Sequence, residues 1–188
     1  LIDLDGEWCF ITAGHILRRI RLALQAGSTF DIWRFGDQTA EHKFTSGVPY
    51  GFSLDDWLVL EDEGIGLDYA AVLITGLYRA QLAAGGAEPL PRSAWANHTT
   101  HREHWALIGI PSETVTYDGE TMISAKVVVA ALEMAAEPAA AGAKAANQFY
   151  AALRDDSVKY VNDVDGMSGG PLFALTKSGD DWRYVVIG

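Results

Sequence analysis

The sequence predicts an all-β protein built as two strand-rich halves, and three observations carry that expectation. Short apolar runs of strand length recur along the 188 residues, bounded by turn residues. Asp-Gly pairs at Asp5-Gly6 and Asp118-Gly119 mark tight hairpins, because both central positions of such a turn need positive φ. Between Ala83 and His101, in "AAGGAEPLPRSAWANHTTH", glycine and proline accumulate and periodicity is lost. The boundary between halves is placed there: residues 1–82, a linker over 83–103, and residues 104–188.

Taken in order, "LIDLDGEWCFITAGH" reads as two strands joined at Asp5-Gly6. "HILRRIRLALQAG" places Ile16, Leu17, Ile20 and Leu24 on one helical face and stops at Gly27, the signature of a short amphipathic helix. From Ser28 to Thr75 the texture is strand and turn, with "TFDIWRFGD", "WLVLED" and "DYAAVLI" as strands. The second half resumes with "HWALIGIP", a hairpin in "TVTYDGETMISAKVVVA", and a closing strand "WRYVVIG". In "EPAAAGAKAANQFYAALRDD" the alanine, lysine, glutamine and leucine content predicts a second helix after Pro138.

With 49% apolar residues the chain can bury a proper core. A net charge of −11 argues against nucleic acid or an anionic membrane surface as the main partner, since both would repel it. The longest apolar candidate for a membrane span, "VVVAALEMAA" from Val127, is short and carries Glu133. Cys9 is the single cysteine, so no internal disulfide forms, which fits a reducing compartment such as the cytoplasm. Both ends fall inside apolar alternating segments, so the chain reads as a domain excised from a longer protein.

Three segments carry the chemistry. "FITAGH" ends an apolar strand at His15, "GLDYAAVLI" opens another with Asp68, and "DGMSGGPLF" presents Ser168 among three glycines and a proline. A serine hydroxyl is a weak nucleophile until a base takes its proton, and an imidazole suits that task near neutral pH. A carboxylate on the other ring nitrogen fixes the tautomer and orientation. Ser168, His15 and Asp68 fit these roles as nucleophile, base and orienting acid, in the order His, Asp, Ser, spaced 53 and 100 residues apart.

In this order and with these motifs the chain resembles the trypsin/chymotrypsin-like serine peptidases, marked by a Thr-Ala-small-His segment, an Asp leading an apolar strand, and Gly-x-Ser-Gly-Gly-Pro. The resemblance runs through nearly the whole chain. It implies a double barrel, two six-stranded-type antiparallel β-barrels with truncated edges. It also implies peptide hydrolysis through an acyl-enzyme, a protein or peptide substrate, and no cofactor or metal. By resemblance the N–H groups of Gly166 and Ser168 form the oxyanion hole, and Asn162, six residues before the serine, lies at the floor of the specificity pocket and points to a neutral or polar substrate side chain. The competing reading is a catalytically silent member that grips extended peptides as a binding or scaffold module.

Two departures from the family pattern carry expectations. The residue before the serine, an Asp in the branch activated by proteolysis, is Met167 here, and no Ile-Val-Gly-Gly start is present. A site formed without zymogen cleavage is therefore expected, as in bacterial trypsin-like peptidases. The sequence also stops at Gly188, where the resemblance places the start of a pocket wall, so weak or absent peptidase activity is expected of residues 1–188 alone.

"GMSGG" also matches the nucleophile elbow of α/β-hydrolases, but that fold needs its histidine after the serine, and none follows Ser168. His98, His101 and His104 are spaced for a metal, yet lack a Cys or Glu at ligand spacing and read as a solvated loop. Asp55, Asp56, Glu61, Asp62 and Glu63 lack the Gly-turned Asp-x-Asp pattern of a calcium loop and read as a solvated rim. Cys9 falls on an expected buried strand, as a small apolar group.

Overall fold

The computed structural model describes residues 1–35, 47–95, 104–119, 122–137 and 149–187. It is mostly β, with antiparallel sheets. The chain divides into two compact units: Leu1–Glu63 with Leu67–Arg92, and Gly64–Gly66 with Ser93–Gly188.

In the first unit, β1 (Ile2–Leu4) and β2 (Glu7–Thr12) form the hairpin expected from Asp5-Gly6. Asp5 has φ 52° and Gly6 φ 95°, as a two-residue turn with both central positions left-handed requires. Helix α1 (Gly14–Gln25) follows directly. It ends where Gly27, at φ 90°, lets the Ser28 N–H reach the Ala23 carbonyl and its own N–H reach Leu24. Strands β3 (Trp33–Phe35) and β4 (Val48–Tyr50) pair as a separate ribbon. Strands β5 (Leu58–Asp62) and β6 (Leu67–Ile74) complete a four-stranded sheet in the order β1-β2-β6-β5. Alternation along the strands turns Trp8, Val72 and Ile74 to one face, where they pack with Val48, Leu82 and Ala87.

One helix was not expected. Helix α2 (Gly76–Ala84) follows directly on the strand-and-turn region that ends at Thr75 and takes the first two residues of the expected linker, with Leu82 buried against the sheet. The glycines after it cap the helix: Gly86, at φ 86°, lets the Ala87 N–H reach the Leu82 carbonyl. A single turn, α3 (Arg92–Trp95), lies where the units divide.

The second unit holds β7 (His104–Gly109), a ribbon of β8 (Thr116–Asp118) and β9 (Met122–Ser124), β10 (Val128–Met134), β11 (Ala151–Leu153), β12 (Leu172–Ser178) and β13 (Asp181–Val186). Its five-stranded sheet runs β11-β10-β7-β12-β13, antiparallel throughout. Trp105, Leu132, Leu172 and Ala174 pack on one part of it, and Ala130, Val161 and Met167 on another. The Asp118-Gly119 hairpin is present, but pairing ends at Asp118 opposite Met122, a wider connection than the expected two-residue turn.

Two expectations are corrected. The helix after Pro138 falls mostly on residues 138–148, outside the described residues, and its expected continuation at Ala151–Leu153 is a strand, paired Leu132 to Leu153 on β10. Local helix propensity there gives way to backbone pairing along the edge of β10. Closure into two six-stranded barrels is not seen either. Among the described residues neither sheet closes: β1 and β5 are edges of the first, β11 and β13 of the second. Among the described residues β1 also makes a bridge from Ile2 to Leu90, while β3 and β4 pair with each other instead of extending the sheet. Among the described residues no helix is long and apolar enough to cross a membrane.

Candidate active site

His15 and Asp68 are brought together by sheet register. Strands β2 and β6 pair Thr12 with Ala70, and continuing that register sets Asp68 beside the turn where β2 passes into α1. The carboxylate of Asp68 there meets His15 at two points. Oδ1 accepts the His15 main-chain N–H at 2.8 Å, and Oδ2 lies 2.5 Å from Nδ1 of the ring. The first contact satisfies an N–H that the opening turn of a helix cannot bond internally, a place where negative charge is favoured. Ala13, the residue at the cap, has no side chain for the task, so Asp68 supplies it from another strand. The second contact holds the ring. With Asp68 ionised, Nδ1 carries the proton and Nε2 keeps its lone pair, the arrangement of a general base.

Burial works against ionisation of Asp68, but it is outweighed. The hydrogen bonds from the His15 ring and main chain, with the electrostatic attraction of His15 and Arg18, bring its pKa below the ordinary value of 3.8. The Asp68 side chain is 46% exposed and that of His15 22%, so the pair sits at a surface with the ring more sheltered than the carboxylate.

Two residues that the sequence reading left outside the site complete this cluster. Glu61 on β5 stands directly opposite Asp68, a like-charge pairing that by itself disfavours the register. Arg18, one turn beyond His15 on α1, offsets it with a 3.1 Å ion pair to Glu61. Glu61 is therefore a brace for the site as well as part of the acidic rim. Gly14 is the residue that lets the elements approach. A Cβ there would stand 2.8 Å from Glu61 Cγ, 2.9 Å from Asp68 Oδ1 and 3.2 Å from the Tyr69 carbonyl oxygen. The sequence signal was available in "AGH", where a glycine opens a helix at the cost of propensity.

The Ser168 loop belongs to the second unit and is built around a buried side chain. Met167 is 3% exposed and packs with Ala130 and Val161, while Gly166, Ser168 and Gly169 on either side are exposed. The core thus holds the loop by its middle and leaves the serine outside. The Met167 N–H donates to the Val164 carbonyl at 3.0 Å, and the Gly170 N–H to the Met167 carbonyl at 2.9 Å. Among the described residues, the N–H groups of Gly166 and Ser168 enter none of the loop's backbone hydrogen bonds.

The glycines have separate reasons. Gly166 has φ 84° and lies so close to Ser112 that a Cβ would stand 2.4 Å from its Oγ and 2.8 Å from its main-chain N, with the Ile110 carbonyl oxygen tight beside it at 3.1 Å. Gly170 faces the Ile108 carbonyl on β7 and the Met167 carbonyl, again too near for any side chain.

Asn162 is exposed and held by Glu113, whose carboxylate accepts its main-chain N–H at 2.7 Å and its side-chain Nδ2 at 3.0 Å. His104 lies on β7 within 3.2 Å of an Arg154 guanidinium nitrogen, while His98 and His101 lie outside the described residues. Among the described residues no group of acidic, histidine or cysteine side chains is placed to hold a metal. Cys9 is buried on β2, and burial pushes its thiol pKa up. Comparison with protein-family models, curated proteins and solved structures returned no match.

Proposed function

We propose that this chain is a serine endopeptidase of trypsin/chymotrypsin-like architecture, with its two β units standing for the two barrels. The observation that carries the reading is the two-point hold of Asp68 on His15, which commits Nδ1 and reserves Nε2 for a second proton partner. Ser168, exposed on a glycine-built loop beside two N–H groups outside that loop's hydrogen bonds, is that partner.

In the reaction, Ser168 Oγ attacks the scissile carbonyl carbon as its proton passes to His15 Nε2. The carbonyl oxygen becomes an oxyanion, received by the N–H groups of Gly166 and Ser168. His15 returns the proton to the leaving amine nitrogen as the C–N bond breaks, leaving an acyl group on Ser168. Water then attacks the acyl carbon, giving a proton to His15, which passes it to Ser168 Oγ as the acyl C–O bond breaks, releasing the acid product and restoring the free serine and neutral imidazole. No cofactor is needed at any step, and the site forms without zymogen cleavage because Met167 seats the loop in an apolar core. The test is turnover of a fluorogenic peptide library by the protein at its natural length, in place of residues 1–188 alone, and by its Ser168→Ala variant. Hydrolysis lost in the variant supports the reading, and folded protein that cleaves nothing favours the silent peptide-binding module.

A further inference from the structure

The Ser168 loop is fastened to one short element, the 3₁₀ turn Ser112–Thr114 that follows β7. Three contacts do this. Glu113 takes both the N–H and the Nδ2 of Asn162 on its two carboxylate oxygens, at 2.7 and 3.0 Å. The Ser112 N–H donates to the Asp165 carbonyl at 2.8 Å. Gly166 rests against Ser112, with no room for a Cβ between them. Together they fix residues 162, 165 and 166, the segment that delivers the Gly166 N–H and Ser168. The turn is itself tied down, since Thr114 Oγ1 donates to the Pro111 carbonyl at 2.8 Å.

Of these contacts only the Glu113 pair depends on a side chain that can be exchanged without disturbing backbone. An ionised acceptor makes stronger hydrogen bonds than a neutral one, and two from one carboxylate to one residue fix orientation as well as distance. We infer that Glu113 is a positioning residue for the Ser168 loop, holding Asn162 so that the Gly166 N–H and the serine hydroxyl keep a reactive geometry. This rests on Ser168 being the nucleophile. It also gives Asn162 a different part from the expected pocket floor: its side-chain amide is the handle by which the loop is held.

The reaction is sensitive to such a clamp because small displacements of an attacking group cost rate steeply, on the order of a hundredfold for about 1 Å. Glu113→Ala removes both acceptors. Glu113→Gln keeps one acceptor for the Asn162 N–H, and a half-turn of the Asn162 amide restores the second bond with donor and acceptor exchanged. Asn162→Asp sets two carboxylates face to face, and adding Glu113→Gln to it restores a complementary pair.

The experiment measures the rate at which a fluorophosphonate modifies Ser168, kcat and KM for a peptide substrate, and hydrogen exchange of the Asn162 amide, in these four variants and the parent. Glu113→Ala is expected to slow labelling and kcat by roughly tenfold or more with KM nearly unchanged, and to speed Asn162 exchange. Glu113→Gln and the double variant are expected to recover most of the loss. Parent-like labelling in Glu113→Ala, or a Glu113→Gln variant as slow as Glu113→Ala, would overturn the inference and leave the hydrolase reading standing. A parent protein with no label on Ser168 would overturn both.

Discussion

Asp68 holds His15 by the backbone and by the ring at once, its Oδ1 on the main-chain N–H at 2.8 Å and its Oδ2 on Nδ1 at 2.5 Å. One carboxylate therefore caps α1 and orients the imidazole, and substitution separates the two tasks. Asp68→Asn keeps an acceptor for the N–H but forfeits the charge and tautomer control, so turnover should fall by about 10⁴ with stability changed little. Asp68→Ala should lose turnover similarly and also cost about 1 kcal/mol, the usual value of a helix cap. Steady-state kinetics and urea unfolding on both variants check this.

Gly14 tests whether close approach is needed. Alanine would raise helix propensity by about 1 kcal/mol, but its Cβ would overlap Asp68 Oδ1 and press on the Tyr69 carbonyl. Overpacking typically costs about 1–3 kcal/mol, so Gly14→Ala should be near neutral to mildly destabilising. Activity should fall much more, by at least tenfold, because the carboxylate must move. Thermal unfolding beside kcat separates the two effects.

The depressed pKa of Asp68 gives a pH dependence of definite sign. The folded state binds this proton less readily than the unfolded chain, whose value is 3.8, so the contribution is complete above that pH and is lost as pH falls through the lower folded value. Wild type and Asp68→Asn should differ by a constant amount above about pH 3.8 and converge in stability as pH falls through the lower folded value. Screening at a half-exposed carboxylate keeps the difference small. Denaturant titrations from pH 3 to 6 would show it.

Much of the arrangement was legible in the sequence where local chemistry decides structure. Asp5-Gly6 could only be a tight turn, and Gly27 a helix stop, because few residues tolerate positive φ. His15 and Asp68 were visible as chemistry ending and opening apolar strands. Helix α2 was not, because Thr75-Gly76 after the strand "DYAAVLI" reads as one more turn between strands, and Leu77, Tyr78 and Leu82 offer an apolar face only about two turns long before Gly85-Gly86. Ala151–Leu153 reads as helix by composition, and only its partner on β10 makes it a strand. The pairings of Arg18 with Glu61 and of Glu113 with Asn162 lie beyond sequence inspection because register and loop packing create them.

Met167 accounts for how the serine loop is seated. Met167→Leu preserves volume and should cost less than about 1.5 kcal/mol. Met167→Asp would bury a carboxylate among Ala130, Val161 and their neighbours and should cost more than about 3 kcal/mol. Melting temperatures of the two variants decide the point. A stable Met167→Asp protein would show that the loop is not anchored through this side chain.

The central claim is that His15, Asp68 and Ser168 act as one proton-transfer unit, and site-mapped fluorophosphonate labelling measures it most directly. The account predicts a label on Ser168 in the wild-type protein, absent from Ser168→Ala and slowed by several orders of magnitude in His15→Ala. A well-folded wild type left unlabelled, or a Ser168 that reacts equally fast without His15, would contradict it.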